Sequence, residues 1–204
     1  AIESHARNSL GVALTMLGDA DTGVAELRHA RLLAVEARAW DDVMRADTNE
    51  ASALASVGRY DDALAVSLAG IEFATAHGMS HRADICLRSA ACEQLWVLGR
   101  WEEMADHVAR FGAARPSGVE AWCLVRKMAE WHAGRGDFAA AHSHRDELAS
   151  LLGTDPDVSW RVELANLDVE IALWEGDLAT ALDRAGDGMA TAADPEMASA
   201  FGVN

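Results

Sequence analysis

A glycine-centred turn recurs along this chain at a nearly constant interval, and that period limits what the chain can fold into. Gly18, Gly58, Gly99, Gly136 and Gly176 are separated by 40, 41, 37 and 40 residues. Asp or Arg follows each glycine. Two residues after it stands Ala20, Tyr60, Trp101, Phe138 or Leu178, and five residues after it Gly23, Ala63, Met104, Ala141 or Ala181. Seven residues before it, where two close helices want a small side chain, stands Gly11, Ala51, Cys92, Ala129 or Val169. Self-similarity at such a period marks an array of small units, none of which can bury its apolar face alone.

The units read as helix pairs. Apolar residues recur at three and four positions, as in Leu10, Ala13, Leu14, Leu17 and in Ala63, Val66, Ala69, Phe73, the spacing of one helix face. No alternating strand pattern competes. Each turn glycine caps a helix in the left-handed conformation, which glycine adopts without steric cost. The second helix of a pair ends at a further break, at Gly78, at Gly112 with Pro116, and at Gly153 with Pro156. Ser80, Ser117 and Asp157 are suitable N-caps for the helices that follow. The pattern predicts helices over 5–17, 20–38, 41–57, 60–77, 81–98, 101–112, 118–134, 138–152, 158–175 and 178–192. The expected repeats are 1–40, 41–79, 80–116, 117–154 and 155–194, one array over 1–194, with 195–204 opening a truncated further repeat. Tyr60 is expected to fill the gap between its two helices.

These residues resemble the tetratricopeptide repeat (TPR). That motif combines a Leu-Gly in the first helix, a glycine before the turn, an aromatic just after it and a small residue early in the second helix. Leu10-Gly11, Gly18 and Gly23 follow it, as do Ala51, Gly58, Tyr60, Ala63, Gly99, Trp101, Gly136, Phe138, Ala141, Gly176 and Ala181. The resemblance implies an all-α fold, a right-handed α-solenoid of about five TPR-like helix-turn-helix repeats, here read as a fragment of a longer array. Two features depart from the pattern. The period is near 40 rather than 34, and Glu50 and Asp168 stand where the repeat has an aliphatic core residue. The longer repeats, in "ARNSLGVALTMLGD" and "SAACEQLWVLGRWEEMADHV", resemble the helical-repeat region of large LuxR-type, maltose-activator-like signalling ATPase regulators. There the repeats serve as sensor and assembly surface.

Charge narrows the partners. The formal net charge is −16, and Lys127 is the only lysine among 17 Lys and Arg residues. Such a chain opposes nucleic acid and anionic lipid, so direct nucleic-acid binding and membrane association are not expected. No phosphate-binding loop, basic recognition helix or nucleophile elbow is present. Acidic pairs at Asp41–Asp42, Asp61–Asp62 and Glu102–Glu103 fall in first helical turns, where they complement the helix dipole. Cys86, Cys92 and Cys123 have no CxxC spacing and read as small buried apolar residues in a reducing compartment. A cytoplasmic location is expected, and no cofactor.

Histidines and tryptophans carry no catalytic pattern. His142 and His144 are two apart on a helix and point to different faces. His132 replaces an aromatic packing residue. Trp101 stands at the packing position of its repeat, and Trp40, Trp122, Trp131 and Trp160 lie on Ala-rich helices where large rings fill space.

A binding face follows from the resemblance, in which the first helices line a concave groove. Four residues apart on that face stand Asn8 and Val12, Thr48 and Ser52, Ser89 and Glu93, Arg126 and Glu130, and Asn166 and Glu170. This is a polar ladder with three carboxylates in its second half, and Trp96 and Trp174 are candidate apolar walls. Pairing of the acids with Arg88 or Arg126 is the alternative reading. The expected partner is a protein or peptide, or a small polar effector, with self-association possible in the full-length protein. Three functions stay open: a sensor and interaction segment of a LuxR-type regulator, a stand-alone adaptor, and an enzyme using the groove.

Overall fold

The computed structural model of the chain describes residues 2–79, 83–114, 119–152 and 158–193. These form ten α-helices and, among the described residues, no strand. They are α1 (Ile2–Met16), α2 (Ala20–Glu36), α3 (Trp40–Ser56), α4 (Tyr60–Ala76), α5 (Ala83–Val97), α6 (Trp101–Ala114), α7 (Val119–Gly134), α8 (Phe138–Leu151), α9 (Val158–Glu175) and α10 (Leu178–Ala192). The order and number agree with the periodic reading. Differences lie at the ends: α1 begins at Ile2, and α6 runs through Gly112 to Ala114. The caps expected at Ser80, Ser117 and Asp157, and the segment 195–204, lie outside the described residues.

The turns show why the period is so legible. Gly18, Gly58, Gly99, Gly136 and Gly176 all have φ between 71° and 92°, the left-handed region that lets a helix end abruptly. The residue after each donates its N–H to the carbonyl five positions back. Asp19 donates to Leu14, Arg59 to Leu54, Arg100 to Leu95, Asp137 to His132 and Asp177 to Ala172, at 2.9–3.0 Å. This closes the Schellman cap. In the Gly-Asp turns the same residue then starts the next helix. The Asp19, Asp137 and Asp177 carboxylates accept from the backbone N–H of Thr22, Ala140 and Thr180. In the Gly-Arg turns the cation instead reaches an acid three residues on, Arg59 to Asp62 and Arg100 to Glu103. The second acid of each pair therefore holds the turn arginine as well as complementing the dipole.

The chain divides into two compact units, Ala1–Pro116 and Ser117–Asn204. In the first, α1/α2, α3/α4 and α5/α6 are hairpins, and the first helices α1, α3 and α5 also pack in succession. Its interior includes Leu27, Leu54, Leu87, Leu95 and Met104, all nearly inaccessible. The small-residue rule holds most tightly at Gly11 and Gly23, where a Cβ on either would lie 2.7 Å from the other's carbonyl oxygen. In the second unit, hairpins α7/α8 and α9/α10 pack through α7–α9 and α8–α9. Their core gathers Trp122, Val125, Ala129, Ala141, Leu148, Leu167 and Ile171. Trp122 meets Trp160 edge-on at 5.0 Å between ring centroids.

Glu50 and Asp168 do not disrupt this packing. The Glu50 Oε1 atom accepts from Arg28 Nε at 2.6 Å, and Asp168 is gripped by Arg145 through Nε at 2.6 Å and Nη2 at 2.7 Å. Asp47, one turn before Glu50, accepts from Arg31 at 2.6 Å. In each case an arginine of a second helix crosses to an acid of the following first helix. An ion pair stands in each case where the repeat pattern has an aliphatic contact or beside it.

Trp101 is a correction. It was expected to pack inside its repeat, but it is 47% exposed. Its ring stacks on Trp96 at 5.5 Å, and its Nε1 donates to the Trp96 carbonyl oxygen. The cysteines divide likewise: Cys92 is buried as expected, Cys123 is half-buried, and Cys86 is exposed on α5.

Candidate functional site

The first helices of each unit carry the residues expected to bind. In the first unit, Asn8 on α1 is buried at 6% exposure, and its Oδ1 accepts from Asn49 Nδ2 at 3.1 Å. Asn8 thus ties α1 to α3 beneath the surface and presents nothing to a groove. The Thr48 hydroxyl donates back to the Met44 carbonyl. Ser52 is exposed. On α5, Ser89 and Trp96 are half-buried and Glu93 is exposed.

In the second unit the ladder is partly closed by salt bridges. Glu130 accepts from Arg126 Nε at 2.8 Å and from Lys127 Nζ at 2.7 Å, and Arg126 also pairs with Glu163 of α9. One of the three expected carboxylates is therefore committed within the fold, through the partner Arg126. Asn166, Glu170 and Trp174 follow one another at four-residue spacing on α9, all exposed.

The structure adds an open cleft of about 500 Å³ between α1 and α3. Val12, Thr15 and Met16 line it from α1, and Asn49, Ser52 and Ser56 from α3, with Val57 at its end. Its polar groups are biased toward accepting. The Ser56 hydroxyl donates to Ala53 O and so keeps its oxygen as an acceptor, whereas the Thr15 hydroxyl donates to Gly11 O with its oxygen turned toward Gly23 of α2. Asn49 spends an N–H on Asn8 and keeps its carbonyl. Met16, 83% exposed, and Val57, 49% exposed, supply an apolar rim. Ser52 and Val12 belonged to the expected ladder; Asn49, Thr15 and Ser56 did not. The signal for them was available, since Asn49 and Ser56 lie three before and four after Ser52, on the same helical face.

No histidine is among the described residues that line this cleft. His132 stacks on His144 at 5.4 Å and lies 3.3 Å from Asp137, while His142 bonds Glu175 at 2.9 Å. Among the described residues no group of three or more His, Cys, Asp or Glu side chains is arranged to hold a metal ion. Among them, too, no helix is long and apolar enough to cross a membrane.

No family model matches the chain, and no curated protein matches it. Solved structures do. A protein from Podosopora anserina described as a kinesin light chain with nearly identical TPR-like repeats superposes with a TM-score of 0.64 at 12% identity, covering 93% of this chain and 94% of that one. A single-substitution variant of it gives 0.67 at 11% identity, covering 94% and 95%. At such identity the likeness speaks to the fold alone. Ten helices in capped pairs, with small residues at the crossings, are the TPR-like helical repeat.

Proposed function

We propose that this chain is a non-catalytic interaction scaffold whose first-helix cleft, between α1 and α3, receives an extended peptide segment of a partner protein. The observation that carries the reading is the cleft itself. An apolar rim of Met16 and Val57 stands beside the acceptor oxygens of Asn49 and Ser56 and the exposed Ser52. A peptide in extended form offers what such a surface wants: backbone N–H donors at regular intervals and an apolar side chain to cover the rim. The net charge of −16 favours a neutral or basic segment over an acidic one. A small polar effector carrying donors would fit the same chemistry.

The wider role follows from the repeat texture. The period near 40 and the long paired helices support a sensor and assembly segment of a LuxR-type regulator, and a stand-alone adaptor is the second reading. The three cysteines form no disulfide, which accords with a reducing, cytoplasmic setting.

The test uses Ser52→Trp, an exposed position at which a large ring fills the cleft without touching the core. Peptides selected from a displayed random library against the chain are titrated by fluorescence anisotropy. Binding should weaken at least about tenfold in the variant, the loss of roughly 1.4 kcal/mol. Unchanged affinity across the selected peptides would remove the site from this cleft.

A further inference from the structure

The second unit contains a different kind of recess, on the side of the second helices. Helix α9 packs against both α8 and α10, and between those two lies a cleft of about 280 Å³. Arg145 lines it from α8, Arg161 from α9 and Arg184 from α10, with Asp168 and Asp187 as its only acids among the described residues. Leu152 and Leu164 form an apolar wall. Three guanidinium groups converging on one small cavity are out of keeping with a chain whose formal net charge is −16.

The three arginines are not equally occupied. Arg145 is fully used, because Asp168 accepts from it in a two-point grip at 2.6 and 2.7 Å. That pair fixes the back of the cleft and cancels its own charge. Arg184 approaches Asp187 only at 3.7 Å, beyond hydrogen-bonding distance, and both side chains are well exposed. Exposed pairs of this kind contribute little and exchange readily. Arg161 makes no hydrogen bond or ion pair among the described residues and is exposed. Two guanidinium forks, from different helices, therefore remain available beside a leucine wall.

We propose that this cleft binds a carboxylate attached to a short aliphatic body, with Arg161 and Arg184 holding the carboxylate and Leu152 and Leu164 covering the chain. A guanidinium presents paired N–H groups at the spacing of carboxylate oxygens. The cavity lies at the lower limit of ligand-sized sites, so the occupant is small. Apolar walls select against a bare, strongly hydrated inorganic anion, which would lose water without a compensating contact. A free aliphatic acid and the C-terminal leucine of a peptide present the same chemistry. This site is independent of the α1–α3 cleft in residues, helices and charge preference.

The probe is hexanoate, followed through the arginine Nε–H signals in nitrogen-15 NMR spectra, with hexanol and inorganic phosphate as controls. Hexanoate should shift the Arg161 and Arg184 signals saturably, with a dissociation constant on the order of 1 mM. The Arg161→Gln/Arg184→Gln double variant changes exposed side chains only and should weaken binding at least about tenfold, as expected for loss of charged hydrogen bonds. Arg59→Gln, in the other unit, should leave it unchanged. A tripeptide ending in leucine, compared as free acid and as amide, separates the two sources. Binding of the acid form alone extends the site to peptide termini, and failure of both forms with hexanoate bound restricts it to free acids. Absence of a saturable hexanoate shift, equal binding of hexanol or phosphate, or undiminished binding in the double variant would overturn the proposal.

Discussion

Adding one methyl group to a helical glycine should have opposite consequences in two places. At Gly186, on the exposed face of α10, a new Cβ would meet nothing within 4 Å. Replacing that glycine by alanine gains helix propensity, about 0.8–1 kcal/mol in favour of the fold. At Gly11 the same gain is available, but the new Cβ would lie 2.7 Å from the Gly23 carbonyl oxygen and 2.7 Å from Leu27 Cγ. The oxygen belongs to the backbone of α2, so relief requires the whole helix to withdraw, by about 0.7 Å to reach ordinary contact. Interiors are close-packed and resist such movement, and overpacking costs about 1–3 kcal/mol. Gly11→Ala should therefore lose up to about 2 kcal/mol net and Gly186→Ala gain up to about 1 kcal/mol. Urea denaturation followed by circular dichroism ranks the variants. Amide hydrogen exchange locates the change, because in an array the opening of one pair is read at its own amides. A Gly11→Ala protein as stable as its parent, with unchanged protection in α1 and α2, would refute the crossing argument.

Two further outcomes can be checked. Asp47, buried with its Oδ2 unpartnered near Gly70, is pushed by burial from 3.8 to about 6, against the pull of Arg31 and with a small push from Glu50. Because the folded value lies above the unfolded one, the fold favours the protonated acid. Asp47 thus costs nothing below about pH 4, and its cost grows to about 3 kcal/mol as pH rises through 6. The stability difference between the parent and Asp47→Asn should follow that window, and a carboxyl-carbon NMR titration midpoint near 4 would contradict it. Arg38 has φ 53° in the α2–α3 turn, whereas the α4–α5 turn has Gly78 at φ 67°. Arg38→Gly relieves roughly 1–2 kcal/mol of strain and returns part of it as unfolded-chain entropy. A melting temperature raised by about 1–3 °C is expected, and a lowered one would count against the strain.

The period was readable because its chemistry is local. A glycine at positive φ, an aspartate that caps the next helix, and an arginine reaching three residues forward all act within one turn of their own position. Gly18, Gly58, Gly99, Gly136 and Gly176 therefore announced the helix pairs before any contact between helices was known. The small residues at the crossings were legible for the same reason, since they stand at fixed distances from the turns.

Tertiary structure decided what those helices do to one another. Glu50 and Asp168 break the repeat pattern in sequence, and their partners Arg28 and Arg145 stand 22 and 23 residues earlier. Nothing local pairs them; the packing of one second helix on the next first helix does. The burial of Asn8 against Asn49, 41 residues away, removed one rung of the expected ladder, and Arg126, besides its local pair with Glu130, reaches Glu163 of α9, 37 residues on. The two clefts have the same origin. Each is a space left where helices from different repeats diverge, so its lining depends on crossing geometry and side-chain rotamers. A one-dimensional pattern marks which face a residue occupies, whereas helix packing determines what stands opposite it.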